Sequence, residues 1–405
     1  MRILFVLWEP YPPGPAGASR CQKLAFGLQR AGSECFVLAR ERSDADEKPL
    51  SWSEDSRGIR YLTVPFHSSK HLRNLNRLIK LPGYILTFAN EFEKSIDDLG
   101  ITHVILYGLS FLQNESCLQI CKRKCIPIIV DCVEWWQVNS VTPMVYVDQE
   151  IFRVFRLPMV DGIIGISTMW MSLARSLRIP FINIPATCWD PSVAPLSAAF
   201  EPRTNPDPRL HILYVGSFLD RDLPAQMIKG FEIALSRGVD AKLTIVGRIG
   251  YSRSAKRLAR TITGSPHLRE KIDLVGFIAE SDARYWQTLN QADAFVLLRA
   301  DTHQSRACFP TRVPPFMCAG KPLITSRVAD LGNLLVDHED ALILSLEDQP
   351  KALSEAIQFL ANHRDQALRI GKAGSAKAIE LFSCIEHGHR LHNFLGTLAK
   401  PSIRD

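Results

Sequence analysis

Residues 3–7, Ile-Leu-Phe-Val-Leu, form an unbroken apolar run, and this constrains the fold more than any other feature of the chain. A strand with one wet face alternates apolar and polar residues, whereas a run apolar at every position needs cover on both faces. A loop rich in proline and glycine follows, from Glu9 to Ser19. Then comes an amphipathic helix with Cys21, Leu24, Ala25 and Leu28 on one face, closed by Gly32. A second apolar run, Cys35–Leu38, comes next. Strand, helix and parallel strand make a βαβ unit, which closes right-handed onto its own sheet. Further buried strands are expected at 102–106, 127–130 and 162–166.

The same pattern restarts after residues 186–209, where Pro191, Pro195, Pro202, Pro206 and Pro208 favour an extended connection. Strands are expected at 211–215, 242–246, 272–275, 294–297 and 322–325, with a helix from about Pro224 to Ser236 after the first. The fold class that follows is α/β, two facing Rossmann-like doubly wound parallel-sheet domains. The expected boundaries are 1–188, a linker at 189–208, a second domain at 209–380, and a C-terminal helix at 381–405 crossing back to the first domain. Loops after residues 7, 215, 246, 275 and 298 are expected to line one cleft, because ligands of such sheets sit beyond the carboxyl ends of the strands.

At 405 residues the chain is too long for one ordinary core. With 46% apolar and 22% charged residues it has the balance of a globular protein. The net charge of +6 comes from 48 basic and 42 acidic side chains, and no basic run with interleaved aromatics points to nucleic acid. No apolar stretch approaches the ~20 residues needed to span a bilayer, and MRILFVLWEPYPPG does not read as a signal peptide. Cys117, Cys121 and Cys125 fall four apart, as buried free thiols on one helix face would, rather than in a zinc or disulfide pattern. His387, His389 and His392 are expected on a solvated helix surface, not as metal ligands. No G-x-G-x-x-G follows the first strand, which argues against an NAD enzyme.

The segment LRADTHQSRACFPTRVPPFMCAGKP, 298–322, holds the most chemistry. A Phe309-Pro310-Thr311-Arg312 turn precedes a short apolar helix, and Arg299, Arg306 and Arg312 surround its start with positive charge. Unpaired backbone N–H groups together with guanidinium groups suit a diphosphate. Pro314 and Pro315 are sterically tolerable if they occupy the first helical turn.

Taken in order, several stretches resemble the family 4 glycosyltransferases of GT-B architecture. They are YPPGPAGASR, holding Gly17 and Arg20; GIIGIS with INIPAT; ILYVGSF with Gly216 and Ser217; LTIVGR with Arg248; and DLVGF with Gly276 and Phe277. FPTRVPPFMCAGKPLITSRVADL is similar to the donor-binding segment of a subset reading roughly FPTKVVE-x-x-A-x-G-x-PVI. The resemblance implies retaining transfer from a nucleotide diphosphate sugar without a bound metal. It places the residues just named on the donor, together with Arg221, Arg299, Arg306, Phe309, Pro310, Thr311 and Arg312. Where the family carries two glutamates eight residues apart, this chain has Ala307 and Pro315. Where it carries an arginine and a lysine, this chain has Ser217 and Asp222, with Arg221 one residue off. A second reading stays open beside transfer: a catalytically degenerate GT-B protein that binds a nucleotide, a glycan or a partner transferase. A nucleotide-sugar epimerase of similar architecture fits the FPTR segment less well.

The first domain would receive the acceptor, a glycan or lipid-linked sugar. DCVEWWQ, at 131–137, is similar to an Asp-x-x-Glu-Trp segment of the same subset. It follows a strand, so Glu134, or otherwise Asp131, could contact the acceptor hydroxyl as a base or by positioning it, and Trp135 and Trp136 could stack on a sugar. Between His67 and Phe92, Lys70, Arg73, Arg77 and Lys80 interleave with leucines at helical spacing, a pattern that suits an anionic membrane surface. The expected setting is the cytoplasm, at the inner face of the membrane, in bacterial surface polysaccharide or glycolipid assembly.

Overall fold

The computed structural model describes residues 1–12, 14–41, 50–65, 75–138, 141–190, 207–216, 218, 220–248, 253–278 and 282–398. Lys70, Arg73, Ser217 and the side chain of Arg77 lie outside the described residues. The chain divides into two compact units. One comprises Met1–Thr187 with Ala307–Phe309 and the C-terminal helix, and the other comprises Cys188–Arg306 with Pro310–Ser383.

The first unit begins β1 (Arg2–Pro10), α1 (Ala16–Arg30), β2 (Glu34–Arg40), β3 (Ser53–Glu54), β4 (Arg60–Val64) and α2 (Leu75–Leu99). It continues β5 (His103–Tyr107), α3 (Phe111–Arg123), β6 (Ile128–Cys132), α4 (Pro143–Phe155), β7 (Gly162–Gly165), α5 (Thr168–Leu177) and β8 (Phe181–Asn183). Its strand order is β3-β4-β2-β1-β5-β6-β7-β8, parallel throughout except for the β3–β4 edge. The apolar run of β1 lies at its centre, with Ile3, Leu4, Val6 and Leu7 fully buried. One irregularity interrupts β1. Leu7 pairs with Ala39 but the next pairing is Pro10 with Arg40, so Trp8 and Glu9 bulge out of register at the carboxyl end of the strand.

The second unit runs β9 (Leu210–Val215), α6 (Pro224–Ser236), β10 (Ala241–Val246), α7 (Arg253–Gly264), α8 (Pro266–Lys271), β11 (Ile272–Leu274), α9 (Ala283–Gln291) and β12 (Ala294–Leu297). It ends α10 (His303–Ala307), α11 (Val313–Cys318), β13 (Leu323–Ser326), α12 (Leu331–Leu334), β14 (Leu342–Leu344), α13 (Gln349–Asn362) and α14 (Arg364–Phe382). The strand order β11-β10-β9-β12-β13-β14, all parallel, is that of a Rossmann sheet.

The last helix, α15 (Cys384–Thr397), belongs to the first unit. It crosses α1 where both helices carry glycine. A Cβ on Gly27 would collide with the Cys384 carbonyl, and one on Gly388 would collide with the Gly27 backbone. His387 is only 4% exposed and stands 3.0 Å from Arg390 Nη1, while His392 pairs with Ser33 at 2.9 Å. The expectation of a solvated histidine surface is therefore corrected for His387, which faces the packed side of its helix. Cys125 likewise lies past the end of α3, in left-handed backbone at φ 51°, while Cys117 and Cys121 are buried as expected. Among the described residues no helix is long and apolar enough to cross a membrane, and no group of three or more His, Cys, Asp or Glu could hold a metal.

Backbone-to-backbone contact at the α1–α15 crossing leaves no room for a methyl group. Gly27→Ala is expected to destabilise the protein by about 1–3 kcal/mol. A lower denaturation midpoint at unchanged slope would show it; an unchanged midpoint would mean that α15 is not docked there.

Candidate functional site

In a doubly wound sheet a crevice opens at the carboxyl ends of the strands where the strand order reverses. That point lies between β9 and β12 in the second unit and between β1 and β5 in the first. Ionisable side chains gather at both.

In the second unit Asp222 ends a single 3-10 turn (Asp220–Asp222) after β9 and is 1% exposed. Its Oδ2 accepts from Arg312 Nη2 at 2.6 Å and from the Tyr214 hydroxyl at 3.0 Å, and its Oδ1 lies 3.3 Å from Arg299 Nη1. Burial pushes this carboxyl up, but Arg312 and then Arg299 outweigh it and hold it below the usual carboxylate range. Arg221 acts on Asp222 in the same sense, and its carbonyl accepts from Ala300 N at 3.0 Å. Arg299 is held by a buried ring of bonds. Its N–H donates to Ser326 Oγ at 2.8 Å, Ser326 donates to Gln349 Oε1 at 2.6 Å, and Gln349 Nε2 donates to the Arg299 carbonyl at 3.2 Å. Arg312 caps α11, with Pro314 and Pro315 inside the first turn, and donates Nη1 to the Val215 carbonyl.

Gly216, expected from sequence to admit a ligand, has its open face taken by protein. A Cβ there would collide with Arg312 Nη1 and the Tyr214 hydroxyl. Arg306 does not join the cluster; it is exposed and pairs with Asp301 at 2.7 Å. Arg248 lies over the ring of Phe277 at 4.6 Å, and Phe277 is 60% exposed, just after Gly276 in left-handed backbone. Thr311 is exposed, whereas Phe309 and Pro310 are buried.

In the first unit Arg20 and Asp131 form a buried two-point pair, Nε to Oδ2 at 2.8 Å and Nη2 to Oδ1 at 2.9 Å. Arg20 also donates to the carbonyls of Pro185 and Ile184, at 2.7 and 2.9 Å. Both residues are thus engaged in tying α1 and β6 to the chain after β8. Trp135 is likewise engaged. It stacks on Trp170 at 5.1 Å, carries Arg153 over its ring at 4.7 Å, and donates its indole N–H to Glu150 at 3.2 Å. Trp136 is half-buried, its backbone N–H bonded to Gln149 at 2.9 Å. Ala307 is fully buried, and its carbonyl accepts from Trp170 Nε1 at 2.9 Å and Ser167 Oγ at 3.1 Å.

Sequence reasoning missed Glu9. It is the next-to-last residue of β1, and a Cβ on Gly17 would collide with its Oε2 and with the ring of Tyr107, the last residue of β5. Burial first, then the nearby Glu134, push the Glu9 carboxyl up to about 7, against the opposing pull of Arg40. Burial and the charges of Glu9, Asp131 and Glu134 push the Tyr107 hydroxyl up as well. The missed signal was an acidic residue closing an otherwise apolar strand.

A folded pKa above the unfolded value means that stability is fully present below about 4.5 and is lost as pH rises toward about 7. Relative to Glu9→Gln, the wild type is expected to lose on the order of 3 kcal/mol between pH 4.5 and 8. Parallel denaturation curves for the two proteins across that range would exclude a buried titrating Glu9.

Two Rossmann-like parallel-sheet domains in one chain are the fold of the GT-B architecture. Residues 209–363 match the family described as glycosyl transferases group 1. Among solved structures, sucrose-phosphate synthase from Thermosynechococcus elongatus is similar over 98% of this chain and 100% of its own, at 17% identity and TM-score 0.73. Anabaena HepE in complex with UDP-glucose covers 98% and 100%, at 13% identity and TM-score 0.69. The catalytic domain of starch synthase IV from Arabidopsis thaliana, bound to ADP and acarbose, covers 98% and 99%, at 10% identity and TM-score 0.68. At these identities the likeness is one of fold. No curated protein matches the chain by sequence.

Proposed function

We propose that the protein is a glycosyltransferase that moves a sugar from a nucleotide diphosphate sugar to a glycan or lipid-linked acceptor, with retention and without a bound metal. The observation that carries this reading is the Arg299–Asp222–Arg312 cluster at the switch point of the segment matching glycosyl transferases group 1. In such a reaction the anomeric C–O bond breaks and the diphosphate leaves with the electron pair. The acceptor oxygen then bonds to the anomeric carbon on the same face, and its proton passes to the departing phosphate or to solvent. Charge growing on the diphosphate needs fixed cations, and guanidinium groups already held in place lose little freedom in meeting it. Arg299, Arg312 and Arg221 take that part, and Arg248 with Phe277 offers an exposed flat face for a nucleobase. Glu134 positions the acceptor hydroxyl in the first unit.

One specific observation favours the second reading, a GT-B protein that binds without transferring. The positions of the two family glutamates hold the buried Ala307 and the helix-turn Pro315, and neither side chain can accept a hydrogen bond from a ribose hydroxyl.

Ligand-induced thermal stabilisation across UDP-, GDP-, TDP- and CMP-sugars, free diphosphates and NAD separates the two. UDP-sugars come first, with free ADP among the diphosphates, since structural neighbours carry UDP-glucose and ADP. A true donor at about 100 times its Kd adds roughly 2.7 kcal/mol, and Arg312→Lys is expected to cut that shift sharply. Release of free nucleotide diphosphate on adding an acceptor supports transfer; binding without release supports the second reading. For the membrane, replacing Lys70, Arg73 and Arg77 by glutamate is expected to abolish sedimentation with anionic liposomes, and unchanged sedimentation dismisses that contact.

A further inference from the structure

Three carboxyl groups stand near the switch point of the first unit, and they are not equivalent. Asp131 is bonded at both oxygens by Arg20. Glu134 is half-buried in the loop after β6. Glu9 differs from both: its Oε2 is buried and has no hydrogen-bond partner among the described residues. The backbone explains how it came to be there. The bulge between Leu7 and Pro10 takes Trp8 and Glu9 out of the ladder at the carboxyl end of the central strand, and bulges of this kind re-aim side chains beside binding sites. The carboxylate then lies against Gly17, where any Cβ would displace it, and shares that space with the Tyr107 ring. Charged and titratable groups face it from three further elements: Arg40 from β2, Tyr107 from β5 and Glu134 from the loop after β6.

A buried carboxylate oxygen without a donor is costly unless something supplies the donor. The site sits at the reversal of strand order, where open sheets bind ligands. Resting on the transferase reading, we propose that Glu9 is an acceptor-binding residue, its Oε2 taking the hydrogen bond of an acceptor hydroxyl. Glu9, Glu134 and Asp131 together also set specificity. The acceptor sugar that enters here is neutral or carries an amino group, and a uronic acid is rejected by like charge.

The test uses the full chain, the donor identified by stabilisation, and p-nitrophenyl hexosides as acceptors with the matching glucuronides beside them. Initial rates are measured between pH 6 and 8.5 for wild type, Glu9→Ala and Glu9→Gln. Loss of a hydrogen bond to a charged group predicts an acceptor KM raised about tenfold or more in Glu9→Ala, with the donor KM unchanged. In wild type the acceptor KM falls as pH rises through neutrality. In Glu9→Gln, which keeps the shape and loses the charge, it is flat. Hexosides are expected to outperform glucuronides in wild type. An acceptor KM and pH profile unaltered in both variants would overturn the proposal, and so would equal losses for donor and acceptor, which mark a structural role. Should the wild type bind a donor and transfer it to no acceptor, the transferase reading itself fails and the proposal falls with it. That result is recognised in the wild type alone, before any variant is compared.

Discussion

The second unit depends on one carboxylate held between two guanidinium groups. Arg299 and Asp222 are almost wholly buried and Arg312 nearly so. Taking such ions out of water costs several kcal/mol each, so they can share this space only because Asp222 divides itself between both arginines. The neighbouring residues follow from that arrangement. Position 216 has to lack a side chain because Arg312 and Tyr214 occupy its open face. Ser326 and Gln349 close a ring on the Arg299 backbone. The result is positive charge set in place during folding, which on the proposed reading a diphosphate would not have to order.

The first unit solves the opposite problem in the opposite way. Arg20 and Asp131 satisfy each other and hold secondary structure, but the buried Oε2 of Glu9 lies near another carboxyl group, Glu134, with no hydrogen-bond partner among the described residues. Burial of that kind lowers stability at neutral pH, and Glu9→Gln would relieve it at no steric cost. Local rules are broken in this way at sites that serve a ligand more often than at sites that serve the fold. The bulge belongs to the same departure, since a regular β1 would have paired residue 8, not residue 10, with Arg40 of β2.

The sheets were legible because their central strands are apolar at every position and lie between helices. Runs such as 3–7, 211–215 and 294–297 admit few other placements, and the observed strands contain them. β3, β4, β8 and β14 were missed, being peripheral strands with short or weaker apolar runs. The candidate site was less legible, because a motif names residue types and not their partners. Arg299 and Arg312 could be singled out, yet nothing in the FPTR segment says that Asp222, about ninety residues earlier, binds both. Arg306 looked equivalent to them in sequence but found Asp301 five residues away and stayed at the surface. Gly17 and Gly216 were expected to face the donor, but what crowds the open face of each is a side chain of its own unit.

Two departures from the resemblance that looked unrelated have one physical cause. Trp135 was open to two readings, a sugar-stacking face or a core aromatic, and position 307 lacks the glutamate of the family that the sequence resembles. Both belong to a single packed column. Arg153 covers Trp135, Trp135 stacks on Trp170, and Trp170 donates its indole N–H to the carbonyl of Ala307. With Ser167 bonded to that same carbonyl and no surface exposed at 307, a glutamate side chain there would have to bury its charge. Replacing Ala307 alone therefore cannot restore an accessible carboxylate at that position. The column would have to open first, which would also uncover the face of Trp135. The alanine and the occupied tryptophan are one solution to packing, and on the proposed reading the nucleotide is met by the Asp222 cluster and the Arg248–Phe277 pair.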